Sequence, residues 1–325
     1  MINTSNIFEK KFLDTDLTEI ISYIQNDGVY FFKSAIDKNF IDRFLNEINE
    51  NKFSINKNWT TGVYTPNQYY VKHLLGCSKQ FYNLISHDYI HLFCANFFAK
   101  DYRLKAFRYY ETYSNHKMAW HTDNKISKKK GHDIFKEIPG IIFIIYLDEV
   151  NDGEFQFIKK THKISNQEAY NDYSDDFIIN KYKDDILSFK GKKGDLIIYD
   201  TYGIHRAKQV TQNNFVRKSL FFQIDTNLNS AEPSLINPSF FKKLDEKELN
   251  FFGFGLDNES DTYPITNFKT LPTKISLKVF FNYFRYKILK FFYKMTSKKF
   301  QKNAKKFFRK EVKKFDEKNF QLFIT

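Results

Sequence analysis

His121 and Asp123 stand two positions apart in MAWHTDNK, residues 118–125. Along an extended strand, residues i and i+2 face the same side. An imidazole and a carboxylate can therefore aim at one point, even where the strand gives way to a loop at Asp123. Such a pair suits Fe(II), whose common non-heme arrangement adds a second histidine and leaves the remaining positions open. A hydrogen-bonded histidine beside a surface aspartate has the same spacing, so the pair needs a third ligand from elsewhere. The chain holds 8 histidines. His205 is the best placed, in GDLIIYDTYGIHRA, just after an apolar strand and a turn. His116 lies shortly upstream of the pair, His132 sits in the polar KKKGHD loop, and His73, His87 and His91 fall in a helical region.

Arg217 follows 12 residues after His205 in NNFVRKSLFFQI. On a strand it shares a face with Ser219 and Phe221. An arginine pointing into an apolar interior needs an anionic partner, because an unpaired buried charge is costly. A cosubstrate carboxylate held by both guanidinium nitrogens fills that role; a protein carboxylate or an outward-facing side chain is the alternative. The stretch NKISKKKGHDIFKEIP, 124–139, follows the His–Asp pair immediately. Its Lys125, Lys128, Lys129 and Lys130 are candidates to attract a substrate phosphate or carboxylate, or else form a solvated lid.

The segments that must position these residues change character along the chain. LTEIISYIQ has a helical apolar pattern ending at Asn26-Asp27-Gly28, VYFFKSAI reads as a strand, and DKNFIDRFLNEINE as a second helix capped by Asp37. Residues 51–70 read as loop and 78–99 as one or two helices. From about 103 onward the segments are strands: RLKAFRYYETY, KMAWHTD, PGIIFIIYLDEV up to an Asn151-Asp152-Gly153 boundary, EFQFIKKTH, two in DDILSFKGKKGDLIIYDTYGIH, and NNFVRKSLFFQID. Helices followed by closely spaced strands argue against alternating βαβ units. They predict a mainly β protein with helical support, its core a double-stranded β-helix of the jelly-roll or cupin-like kind. Residues 226–273 read as irregular covering structure. Neither GxGxxG nor a Walker loop occurs.

Composition narrows the class. Aromatics make up 19% of the 325 residues, enough for a sizeable core. The two cysteines, Cys77 and Cys94, are too few for a disulfide framework or a thiolate zinc site and read as buried and inert. The N-terminus has no apolar leader, and no run is long enough for a conventional transmembrane helix. Residues 271–325 hold 16 Lys or Arg against 3 Asp or Glu, which is the whole net charge of +13. On a helical projection Leu277, Phe280, Phe281, Phe284, Ile288, Phe291, Phe292 and Met295 form one stripe. Ala304, Phe307, Phe308, Val312 and Phe315 form a second among lysines. Both fit basic amphipathic helices. The expected partner is an anionic membrane surface, with packing on the core or a dimer contact as alternatives and nucleic acid ranked lower. The expected location is cytoplasmic, peripheral at the inner face of a membrane.

In order and spacing, five elements resemble the phytanoyl-CoA dioxygenase (PhyH-like) family of Fe(II)/2-oxoglutarate oxygenases, over residues 12–226. They are NDGVYFFKSAIDKNFIDRF, HTD at 121–123, IIYLDEVNDGEFQFIKKTHK at 144–163, GDLIIYDTYGIHRA, and Arg217. Two departures stand out. Lys159-Lys160-Thr161 replaces the family's Pro-Gly-Ser before His162, and Ala207 offers no hydroxyl to a cosubstrate. Asp123 is present, unlike the small residue of halogenase-like relatives. The resemblance implies Fe(II) held by His121, Asp123 and His205, 2-oxoglutarate anchored by Arg217, and O2 as second cosubstrate. It implies hydroxylation of a small or lipid- or glycan-associated molecule, with succinate and CO2 as coproducts. Ser219, Tyr109 and Trp120 are further candidates to line the cofactor pocket, although core packing is the commoner role for both aromatic rings. His162 is a weaker candidate for substrate contact. The implied organisation is an oxygenase-like domain over 1–235, a covering segment over 236–273 and a basic helical tail over 274–325. The rivals are the same chemistry on a nucleic acid or protein, and a non-catalytic, membrane-attached binding module.

Overall fold

The structure is a computed structural model; it describes residues 6–52, 62–65, 67–123, 139–164 and 173–226, with 228, 240, 246–253 and 295 beyond them. Helices come first, as expected. After a single turn, α1 (Lys10–Leu13), helix α2 (Leu17–Asp27) starts where the Asp16 carboxylate accepts the Thr18 N–H at 2.9 Å. It ends at Gly28, whose φ of 90° is left-handed. A side chain at Gly28 would also collide with its neighbours, since a Cβ there would lie 2.5 Å from His162 Nδ1 and 2.7 Å from the Phe157 ring. Strand β1 (Val29–Phe32) and helix α3 (Lys38–Lys52) follow, then α4 (Leu74–Cys77), α5 (Lys79–Ile85) and α6 (Asp88–Phe98).

The region read as loop instead contains a hairpin, β2 (Gly62–Thr65) and β3 (Gln68–Val71), which extends the edge of the main sheet. The remaining strands are β4 (Arg103–Thr112), β5 (Gly140–Tyr146), β6 (Val150–Ile158), β7 (Ile186–Gly191), β8 (Leu196–Asp200), β9 (His205–Ala207) and β10 (Arg217–Asp225). Asn151-Asp152-Gly153 does not end a strand; it lies within β6, where the pairing with β7 is irregular between Val150 and Phe155. Helix α7 (Asp175–Tyr182) was not anticipated. Nor was α8 (Glu246–Phe251), which interrupts the stretch read as irregular and buries Phe251 and Phe252 against His91 and Tyr82.

All described strand pairs are antiparallel. They form a seven-stranded sheet in the order β1-β8-β5-β10-β4-β3-β2 and a three-stranded sheet in the order β7-β6-β9. Period-two alternation sorts the large sheet's side chains between two cores. Leu220, Phe222, Phe143 and Ile198 pack beneath the helices with Phe40, Phe44, Phe81 and Phe93. Ile142, Ile197, Tyr199 and Val29 face the small sheet and pack with Val150, Phe155 and Phe157. The architecture is thus an antiparallel two-sheet core flanked by helices. Among the described residues no helix is long and apolar enough to cross a membrane. Apart from Met295, the tail at 274–325 lies outside the described residues.

Candidate metal centre

His205 opens β9, a strand of only three residues. His121 belongs to no regular strand; it forms an isolated antiparallel bridge with His205, N–H to carbonyl in both directions at 3.0 and 2.9 Å. Two residues on, the Asp123 N–H donates to Thr201 O at 3.0 Å. The His–Asp segment is therefore threaded along the strand that carries the distal histidine, which brings the three side chains together. Their candidate ligand atoms all lie within 4.8 Å of one another, and they are the only such cluster of His, Cys, Asp or Glu among the described residues.

The chemistry of each donor follows from its partners. His121 Nδ1 lies 2.8 Å from Ala119 O, and His205 Nδ1 lies 2.9 Å from Gly203 O. A carbonyl only accepts, so each Nδ1 carries the proton. That makes Nε2, with its lone pair, the metal-binding atom of each ring, the arrangement that backbone carbonyls impose on ligating histidines. His205 Nε2 lies 3.1 Å from Asp123 Oδ2, and His121 Nε2 lies 3.7 Å from Asp123 Oδ1. An ion with bonds of about 2.1 Å holds neighbouring ligands about 3 Å apart, so the His205–Asp123 edge fits and His121 stands slightly further out. Burial works against the Asp123 charge, but His205, His121 and the Tyr199 hydroxyl outweigh it, and the carboxyl titrates below its ordinary value. Two imidazoles and one ionised carboxylate on one side of a site match the donor set of non-heme Fe(II).

Tyr199, on β8, escaped the sequence reading. Its hydroxyl donates to Asp123 Oδ2 at 3.0 Å and lies 3.3 Å from His205 Nε2. With a single proton to give, it serves the carboxylate once a metal takes the histidine lone pair. The signal available was a phenol inside the apolar run LIIY, because a buried tyrosine hydroxyl requires a partner. The Phe155 ring stands 4.8 Å from Tyr199 and 5.5 Å from His205 and walls the site on the small-sheet side.

Arg217 is buried at 7% exposure, on the face of β10 that looks toward the small sheet. Its guanidinium donates to the Gly153 carbonyl and, at 3.2 Å, to Thr112 Oγ1. Among the described residues no carboxylate pairs with it. Burial depresses its pKa, partly offset by the nearby Tyr146, Tyr110 and Glu154. A buried cation whose direct partners are neutral is a ready receptor for an external carboxylate. Ser219 is buried two residues along on the same face.

Other expected residues lie elsewhere. Tyr109 pairs across the sheet with Leu220, so it belongs to the opposite face from Arg217; its ring packs on Phe44 and Tyr69 and its hydroxyl donates to Glu111 at 2.8 Å. That packing corrects its assignment to the cofactor pocket. Trp120 points away from His121 because adjacent residues alternate; it packs with Ile158, Ile178 and Ile204. His162 lies against Gly28, 3.1 Å from Gln25 O through Nε2 at the end of α2, a structural position. His87 caps α6, His91 packs on Phe251, and His116 lies in the field of Arg217. Lys125, Lys128, Lys129, Lys130 and His132 lie outside the described residues.

No protein-family model and no curated protein matches the chain's sequence. Solved structures do match its fold. HygX from Streptomyces hygroscopicus with iron bound superposes with a TM-score of 0.52 at 12% identity, over 67% of this chain and 89% of that one. HygX with nickel, 2-oxoglutarate and hygromycin B gives 0.51 at 14% identity, over 67% and 90%. The epimerase SnoN in complex with Fe3+, alpha-ketoglutarate and nogalamycin RO gives 0.52 at 14% identity, over 78% and 96%. At these identities the likeness is one of fold.

Proposed function

We propose that this chain is a non-heme Fe(II)/2-oxoglutarate-dependent dioxygenase that hydroxylates or otherwise oxidises a small molecule. The observation that carries the reading is the convergence of His121, Asp123 and His205, with both histidine tautomers set by backbone carbonyls so that Nε2 faces the carboxylate. Had His205 pointed away from the His–Asp pair, a non-catalytic binding module would have been the better reading. The similarly folded HygX binds iron, or nickel with 2-oxoglutarate and hygromycin B, and SnoN binds Fe3+, alpha-ketoglutarate and nogalamycin RO; this supports the same cofactor system and a small-molecule substrate.

Three protein groups would hold the iron, and Arg217 would take the far carboxylate of 2-oxoglutarate. When bound, iron and 2-oxoglutarate supply the oxidising chemistry, consuming O2 and releasing succinate and CO2. The residues supply position. Tyr199 holds one Asp123 oxygen by a hydrogen bond. The carbonyls of Ala119 and Gly203 orient the two imidazoles. Phe155 and the apolar residues between the sheets limit water beside the site.

The test is succinate release by purified protein supplied with Fe(II), 2-oxoglutarate and a small-molecule library. Turnover that requires all three, and that His205→Ala abolishes, is expected. Succinate formation undiminished in His205→Ala would sink the reading. The substrate proposed is small or lipid- or glycan-linked, and the basic tail is proposed to hold the enzyme at an anionic membrane surface. Vesicles containing anionic lipid should sediment the full chain but not a chain lacking 274–325; equal partitioning of the two would remove the membrane proposal.

A further inference from the structure

We infer that Asp175, acting through Arg206 and Trp120, is a positioning residue that sets the spacing of His121 and His205 from outside the metal centre. The inference rests on the metal reading above. Neither histidine is held by a strand of ordinary length: one sits on an isolated bridge, the other opens a strand of three residues. Each is followed or preceded by a side chain on the opposite face, Arg206 after His205 and Trp120 before His121.

Those two outward side chains are joined. The Arg206 guanidinium lies over the Trp120 ring, 4.2 Å from its centroid. Both then converge on one carboxylate oxygen, since Trp120 Nε1 donates to Asp175 Oδ1 at 3.0 Å and Arg206 Nη1 donates to the same atom. Arg206 is oriented from the other side by Gln156 on β6, whose Oε1 accepts from Nε at 2.9 Å. Asp175 begins α7, where the neighbouring Ser174 hydroxyl accepts the Phe177 N–H, and Tyr173 N–H donates to Trp120 O at 3.0 Å. The carboxylate therefore ties α7, the His121 segment and β9 at a single point. Lys117, 3.8 Å from Asp175 Oδ2 and 65% exposed, is too solvated to add much. Loss of Asp175 frees the stacked pair on the face away from the metal centre, and the lever arm of one residue on each segment passes that freedom to the two imidazoles.

The test uses the full chain, stripped of metal and titrated with Co(II) against a competing chelator, with the visible Co(II) bands recorded and the fold followed by circular dichroism. Asp175→Ala should weaken Co(II) binding about tenfold, the lower end of the effect of removing outer partners of metal ligands, and should shift the Co(II) bands. Asp175→Asn retains an acceptor for the indole but loses the ion pair, and should fall between the two. A folded Asp175→Ala protein with wild-type affinity and bands overturns the inference alone, as does Asp175→Asn behaving as wild type if the alanine variant fails to fold. A wild-type chain that takes up no Co(II) would sink the metal reading, and this inference with it.

Discussion

Replacing Arg217 by methionine should remove cosubstrate affinity while leaving the fold nearly as stable. Arg217 is 7% exposed and its guanidinium donates to a backbone carbonyl and a threonine hydroxyl, with no carboxylate paired to it among the described residues. In the protein without cosubstrate, the substitution relieves a desolvated charge but leaves Gly153 O without its donor. Relief of the charge and loss of a donor, the latter about 1–3 kcal/mol, oppose each other. The net change in unfolding free energy should stay within about 2 kcal/mol. With 2-oxoglutarate present, the same substitution breaks a buried charge pair, worth roughly 2–5 kcal/mol. At about 1.4 kcal/mol per factor of ten, that is a loss of roughly 30-fold to several thousand-fold in affinity. The assay is calorimetric titration of Ni(II)-loaded protein with 2-oxoglutarate and, separately, with a 2-oxo acid lacking the far carboxylate. The wild type should prefer 2-oxoglutarate strongly, and Arg217→Met should bind both acids alike. If Arg217→Met binds 2-oxoglutarate as tightly as the wild type, or unfolds the protein as the loss of a structural ion pair would, the assignment is wrong.

Tyr199→Phe keeps the ring against Phe155 but removes the donor to Asp123 Oδ2, so metal affinity should fall about 10-fold or more while thermal stability changes little; the check is Co(II) competition beside a melting curve. Asp200 is half-buried and its carboxyl is pushed up to about 7, chiefly by desolvation, from an ordinary value of 3.8. The unfolded chain therefore ionises first, and stability should decline as pH rises from about 4 to about 7 and level off above that. Asp200→Asn, which keeps an acceptor for the Tyr202 N–H, should flatten that part of the curve and melt higher than the wild type at pH 8; equal slopes in the two proteins would contradict the assignment.

The candidate ligands were legible because their signals are local. A two-residue spacing on an extended segment needs no tertiary knowledge, and GIH follows a run of apolar residues too regular to mistake. Arg217 was legible for a similar reason, as a charge within an apolar strand. Facing was harder. RLKAFRYYETY carries two adjacent tyrosines, and nothing local tells which of Tyr109 and Tyr110 faces the helices; pairing with Leu220 and Ser219 on β10 decides it. Trp120 could have been set aside by alternation alone once His121 was placed. The hairpin at 62–71, α7 and α8 lack strong periodicity and are held by neighbours distant in sequence. Tyr199, Arg206 and Asp175 act only through contacts that the fold creates.

The most direct measurement is a crystal structure of the protein grown with Ni(II) and 2-oxoglutarate, with anomalous scattering collected at the metal edge. The expected result is a single strong peak bonded by His121 Nε2, one oxygen of Asp123 and His205 Nε2, with the far carboxylate of 2-oxoglutarate on Arg217. A metal peak elsewhere, or one that recruits only one of the two histidines, would contradict it.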